Sequence, residues 1–285
     1  MVVLIAVLLG LVQGLTEFLP VSSSGHLYVL STLTQGAVAE DQFNSFFTVM
    51  LHVATLVAVI LVYRKQLWAI LRHPLQKITL YLLIGTLPTI VFALLLKLFP
   101  ALEDWLDAGN LVGASFLVTA GLLLLSDFFV RRHQKRRPLS AVRGRDALGV
   151  GLFQAVGVLP GVSRSGSTIC GALACGMDRN AAADFSFLLS VPAILGATVL
   201  EAFKLIKDPS AFAAATDGGF LAALLVGMVV AGVTGYFAVR FMIRLIKHKG
   251  LWGFAIYTAA LGVLVLIFQF CGVLGFGFTQ LGGVS

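Results

Sequence analysis

The chain has 285 residues, 59% of them hydrophobic and 12% charged, with a mean hydropathy of +0.98. A soluble domain carries about 25% charged and about 45–50% apolar residues, so the composition excludes a soluble globular protein and implies a polytopic membrane protein. The net charge of +7 does not point to nucleic acid, because the bases sit in short connectors between apolar runs, a pattern that orients membrane proteins.

The chain opens on MVVLIAVLLG, with no basic stretch and no small-residue cleavage site, and reads as mature protein rather than as a signal peptide. Within 1–35 this apolar run is broken by LPVSSSGH. Long apolar runs follow at 46–62, 78–98, 110–130, 185–206, 219–241 and 252–272, each close to the roughly 20 residues that cross a bilayer. They predict six full transmembrane helices. Between the third and fourth lies 147–177, again broken, by LPGVSRSGS. The expectation is an all-α fold, a single integral membrane domain over 1–285 with no soluble appendage. Cys170, Cys175 and Cys271 lie in apolar stretches without a pairing framework or a metal-ligand spacing, and read as small core residues.

The connectors give the orientation. Arg64, Lys65, Arg72 and Lys77 lie in one, Arg131, Arg132, Lys135, Arg136, Arg137, Arg143 and Arg145 in a second, and Arg240, Arg244, Lys247 and Lys249 at a third. By the positive-inside rule these face the cytoplasm. The intervening connectors carry Glu40 and Asp41, then Glu103, Asp104 and Asp107, then Asp208 and Asp217, and face outward. For the spans to alternate, 147–177 must leave the cytoplasm and return to it. Its arms of about 13 residues are too short to cross, so it reads as a re-entrant hairpin.

A repeat extends this to the first broken stretch. GLVQ at 10–13, LP at 19–20 and SG at 24–25 recur as GLFQ at 151–154, LP at 159–160 and SG at 165–166, an offset of 141 or 140, with Phe47 matched to Phe187. Each half, about 1–130 and about 147–272, is one hairpin plus three spans. An odd number of spans inverts the second copy, so the first hairpin enters from outside and both termini lie outside. Inverted repeats whose broken helices meet near the midplane are a way transporters build a site.

Irregular backbone at membrane depth survives only against protein or a water-filled cavity, so the two tips imply a polar site. The first clusters Glu17, Ser22, Ser23, Ser24 and His26; the second clusters Ser163, Arg164, Ser165 and Thr168. Pro and Gly in both leave free N–H groups at the following helix start, which suits an anion. A hydroxyl with an imidazole and a carboxylate facing a guanidinium with hydroxyl donors is a set for phosphoryl transfer, and its depth suits a lipid with a phosphate or diphosphate head. Gln13 and Gln154, paired by the repeat, are expected to tie the hairpins together. Pro88 and Pro192 mark kinks, and His52, matched to Pro192, reads as a core histidine without chemistry.

QGLTEFLPVSSSGH at 13–26, LPGVSRSGST at 159–168 and DFSFLLSVPAILGAT at 184–198 resemble the undecaprenyl-diphosphate phosphatase, or bacitracin-resistance protein, family over nearly the whole chain. The resemblance implies hydrolysis of undecaprenyl diphosphate to the monophosphate, which recycles the carrier lipid for peptidoglycan, in a bacterial inner membrane protein whose site opens to the outer face. It also implies possible assistance by Mg²⁺ or Ca²⁺. Residue by residue it matches Glu17, Ser23 and His26 in the first motif and Ser163, Arg164, Ser165 and Thr168 in the second; the expectation is that Glu17, Ser23, His26 and Arg164 are catalytic, Glu17 also a metal ligand, and Gln13, Ser22, Ser24, Ser163, Ser165 and Thr168 substrate contacts. Where a first glutamate often stands in the family this chain has Gln13, so a two-carboxylate metal site is not expected.

The mechanism expected is attack by Ser23 with His26 as general base and Glu17 orienting His26 or a cation; attack by His26 is the alternative. A flippase for a phosphorylated polyprenyl lipid is the rival function. The partners are the polyprenyl diphosphate and membrane lipids, not nucleic acid, with a homodimer left open.

Overall fold

A computed structural model describes residues 2–34, 45–132, 136–207, 218–273 and 276–277. Among them the named elements are all helices: α1 (Val2–Thr16), α2 (Ser23–Thr34), α3 (Ser45–Val62), α4 (Arg64–Arg72), α5 (Lys77–Leu96), α6 (Pro100–Asp107), α7 (Val112–Arg132), α8 (Gly144–Val156), α9 (Arg164–Ala174), α10 (Arg179–Lys207), α11 (Gly218–His248) and α12 (Trp252–Cys271), with a short 3₁₀ turn at Leu139–Ala141. The acidic connectors with Glu40 and Asp41 and with Asp208 and Asp217, and Lys135 of the second basic connector, lie outside the described residues.

Five helices are long and apolar enough to cross a membrane: Lys77–Leu96, Val112–Arg132, Arg179–Leu200, Gly218–Lys247 and Trp252–Cys271. The run at 46–62 falls on α3, which passes that test only together with α4, across a bend of 84°. The bend follows from residue chemistry. Arg64 and Lys65 end the apolar run, and α4 is two-faced, with Leu67 and Ile70 packed on the core while Trp68 and Leu71 are 57% and 70% exposed. The guanidinium of Arg72 lies 5.1 Å over the Trp68 ring. Its charged ends and two faces set α4 apart from the uniformly apolar α3.

The fourth expected span starts earlier than its apolar run because Asp178 caps α10, its Oδ1 accepting from the Ala181 N–H at 2.8 Å. Pro88 and Pro192 both lie inside helices, α5 and α10.

The two short helix pairs, α1–α2 and α8–α9, pack against the long helices through glycines. A Cβ at Gly10 of α1 would run into the Gly227 carbonyl of α11, and a Cβ at Gly151 of α8 would run into the Gly85 carbonyl of α5. Gly14, further along α1, meets the Ala231 carbonyl further along α11, so α1 runs parallel to α11. The core lies around the second pair, where Phe18 and Phe187, both buried, meet edge to face at 6.0 Å.

The second pair is anchored where it leaves the basic connector. Asp146 accepts two hydrogen bonds from Arg137, at 2.6 and 3.0 Å, and one from the Arg143 N–H at 2.9 Å, closing the first turn of α8. Burial alone would raise this carboxyl, but the Arg137 and Arg143 bonds outweigh it and hold it below the ordinary aspartate value. A carboxyl lowered on folding adds stability above its unfolded value near 3.8, and that contribution is lost as the pH falls through the folded value. Asp146→Asn is therefore expected to cost about 1.5–3 kcal/mol at neutral pH, with the gap to the parent protein closing below about pH 4 in thermal unfolding.

Candidate active site

The first tip runs from Glu17 to Ser22, between α1 and α2. Ser22 takes φ 72°, a left-handed conformation that non-glycine residues rarely adopt. Its bonds hold it there. Ser22 Oγ accepts from the Gly25 N–H at 3.2 Å, and its carbonyl accepts from the His26 N–H at 3.2 Å and from His26 Nδ1 at 2.7 Å. Ser22 is thus the cap of α2, which leaves the Ser23 hydroxyl at the first turn to face Glu17. Position 25 has to be glycine, since a Cβ on Gly25 would lie 2.6 Å from Phe116 Cζ. Gly25→Ala is expected to cost about 1–3 kcal/mol through overpacking, read as a lower unfolding temperature of the purified protein.

The second tip uses the same device. Ser163 caps α9, its Oγ accepting from the Gly166 N–H at 3.1 Å, so Arg164 is the first residue of the helix. Gly161, at φ +84°, turns the chain where a Cβ would lie 3.0 Å from Val112 Cα. Both conditions demand glycine. The starts of two helices, and with them two positive dipole ends, therefore come to adjoining tips.

Three bonds join the tips. The Gly161 N–H donates to Ser24 Oγ at 3.2 Å, Ser165 Oγ donates to the Leu19 carbonyl at 3.2 Å, and Arg164 forms a buried ion pair with Glu17 Oε1. Glu17 is the hub. Its Oε2 accepts from Ser23 Oγ at 2.6 Å and from Gln13 Nε2 at 3.0 Å, and His52 Nε2 stands 3.4 Å away. A small cavity beside the ion pair is lined by Glu17, Arg164, Ser165, Thr168, Ser186 and Ser190.

The structure brings Gln13, Glu17, Ser23, Ser24, Arg164 and Ser165 together, but not the imidazole expected to serve the serine. His26 points to the rim: Nδ1 donates to the Ser22 carbonyl and Nε2 shares a 2.7 Å hydrogen bond with the Tyr257 hydroxyl, the two rings stacked at 5.6 Å. Its bonds are thus to neither Ser23 nor Glu17, and Glu17 does not orient it. Ser163 and Thr168 are buried and build the frame: the Ser163 N–H donates to Thr119 Oγ1 at 3.0 Å, and the Thr168 and Ser186 hydroxyls meet at 2.5 Å. Gln154 does not reach Gln13; its Nε2 donates to Thr89 Oγ1 at 2.8 Å, tying α8 to α5.

The donor set does not form a metal cage. Both oxygens of Glu17 are engaged by Arg164, Ser23 and Gln13, and no group of three His, Cys, Asp or Glu side chains converges among the described residues. The arrangement can do other chemistry: a carboxylate 2.6 Å from a half-buried serine hydroxyl, with a guanidinium on its far side, fits a nucleophile and its base beside an anion clamp.

The residues that stand at the site and that motif reasoning did not place there are His52, beside Glu17, and Tyr257, beside His26. An ionisable residue inside an apolar span was the available signal for His52; for Tyr257, 231 residues from its partner, the sequence carries none.

A family model described as bacitracin resistance protein BacA matches residues 6–264. The chain is 40% identical over 268 residues to undecaprenyl-diphosphatase 4 of Bacillus cereus strain ZK / E33L, covering 94% of this chain and 98% of the relative. It is 40% identical over 267 residues to the undecaprenyl-diphosphatase of Carboxydothermus hydrogenoformans, covering 94% and 97%. To that of Alkaliphilus metalliredigens it is 38% identical over 283 residues, covering 93% and 98%.

Proposed function

The chain belongs to the bacitracin resistance protein family, and from that premise we propose how its two tips carry out the family's reaction. The protein is an undecaprenyl-diphosphatase: it hydrolyses undecaprenyl diphosphate to undecaprenyl phosphate and inorganic phosphate, a step that serves cell-wall synthesis and bacitracin resistance. The observation that carries the mechanism is the bond from Ser23 Oγ to a carboxylate already paired across the tips with Arg164.

Ser23 Oγ attacks the terminal phosphorus as its proton passes to Glu17 Oε2. The bond from phosphorus to the bridging oxygen breaks, and undecaprenyl phosphate leaves with that oxygen. Arg164 turns from Glu17 to the phosphoryl oxygens, where charge develops, aided by the N–H groups at the starts of α2 and α9. Ser24 and Ser165, which bridge the tips, set their separation. Water then attacks the phosphoserine and releases phosphate. His26 contacts the diphosphate from the rim, which it reaches when Tyr257 gives way.

We also read the two helix pairs as re-entrant hairpins of an inverted repeat in a bacterial inner membrane, open to the outer face. What supports this is the pairing of Gly10 with Gly227 against that of Gly151 with Gly85, together with the parallel course of α1 and α11. The basic residues Arg240, Arg244 and Lys247 close α11, so α1 enters from the side opposite to them, whereas α8 starts at the basic connector.

The test is phosphate release from undecaprenyl diphosphate by detergent-purified protein. Ser23→Ala is expected to abolish release and rapid acid quench to trap phosphoserine in the parent; an acid-labile phosphohistidine on His26 would sink the serine mechanism.

A further inference from the structure

The proton that Ser23 gives up has one carboxylate to receive it, and a proton resting there would cancel the charge that pairs with Arg164. Of the side chains on Glu17 Oε2, Gln13 donates an amide hydrogen at 3.0 Å and has no basic site to take a proton. His26 is bound elsewhere. His52 remains. Its Nδ1 lies 2.8 Å from the Thr48 carbonyl, which can only accept, so Nδ1 carries a hydrogen and, in the neutral ring, Nε2 holds the lone pair. That lone pair faces Glu17 Oε2 at 3.4 Å, an arrangement that becomes a bond only when a proton joins the two groups. The ring is also 26% exposed, which gives the proton a way out to water.

We infer that His52 is a positioning residue for Glu17 that draws the serine proton off it, so that α3 supplies the second titratable group of the tip at which residue 13 is an amide. The inference rests on the phosphatase reading above. In balance, the Ser23 O–H bond breaks, the proton passes through Glu17 Oε2 to His52 Nε2, the Ser23 O–P bond forms and the P–O bond to the leaving lipid phosphate breaks. In the second half the oxygen of water joins phosphorus as the Ser23 O–P bond breaks, one of the water's protons stays on the phosphate and the other goes to solvent. Ser23 then recovers its own from His52 through Glu17.

The experiment compares the parent protein, His52→Gln and the double variant Gln13→Glu with His52→Gln, by steady-state phosphate release from undecaprenyl diphosphate in detergent. Glutamine at position 52 offers Glu17 an amide donor but cannot take a proton. His52→Gln is expected to lower kcat by about 100-fold with KM within about threefold, the unchanged KM showing a folded site. The double variant, which places a carboxylate one helical turn before Glu17, is expected to recover at least about tenfold of that loss, as two neighbouring carboxylates share one proton. A donor that merely braces Glu17 predicts parent-like kcat in His52→Gln, and that result overturns the relay, as does a double variant no faster than the single one. Absence of release in the parent protein would instead overturn the phosphatase reading.

Discussion

Arg164→Ala is expected to reduce phosphate release by about a thousandfold or more, the range seen when an arginine facing a transferring phosphoryl group is removed. The guanidinium has no substitute: within the two tips it is the cation that pairs with Glu17, and it reaches that carboxylate from the first position of α9, where the dipole of the helix adds to its charge. Arg164→Lys keeps the charge but loses the planar fork that can hold a phosphate by two bonds, and is expected to recover no more than about a tenth of the parent rate. Measured as kcat and KM separately, a loss mainly in kcat places Arg164 on the developing charge. A loss confined to KM would place it on ground-state binding only.

The frame of the site was legible in the two motifs because proline- and glycine-broken helix starts are local chemistry. LPVSSSGH and LPGVSRSGS read as helix breaks whose polar residues share one site, and Ser23 and Arg164 both meet Glu17 there; that Ser22 and Ser163 are taken up as caps and that Gly25 marks a close approach is not legible in them. What local chemistry could not give is which partner each group chooses across the bundle. His26 lies three residues after Ser23, close enough in sequence to read as its base, yet the helical turn from Ser22 points the ring outward to Tyr257. His52 lay in a uniformly apolar span, and periodicity does not say that its face meets the end of α1. Gln13 and Gln154 match in the repeat but diverge in partner, because Glu17 stands four residues after the first and no acid follows the second. The bend after α3 escaped for a related reason: hydropathy weighs residues along a run, whereas the turn is set by which face of α4 meets the core.

Glu17→Gln tests whether the carboxylate is a base or a brace, and the two roles separate in different measurements. As the base for Ser23, its loss should lower kcat by about a thousandfold, near the middle of the range for a positioned proton acceptor. As the partner of Arg164, its loss leaves a largely buried guanidinium uncompensated, which costs about 3–5 kcal/mol of stability; the Arg164 side chain is only 18% exposed. Removing the cation as well should relieve this. The double variant Glu17→Gln with Arg164→Gln is therefore expected to unfold at a higher temperature than Glu17→Gln alone while releasing phosphate no faster. In rate, the two single losses should not add, since Ser23, Glu17 and Arg164 act as one unit and either change disables it. Additive losses in both stability and rate would mean that the tips contribute separately, and that the ion pair seen between them is not the one the reaction uses.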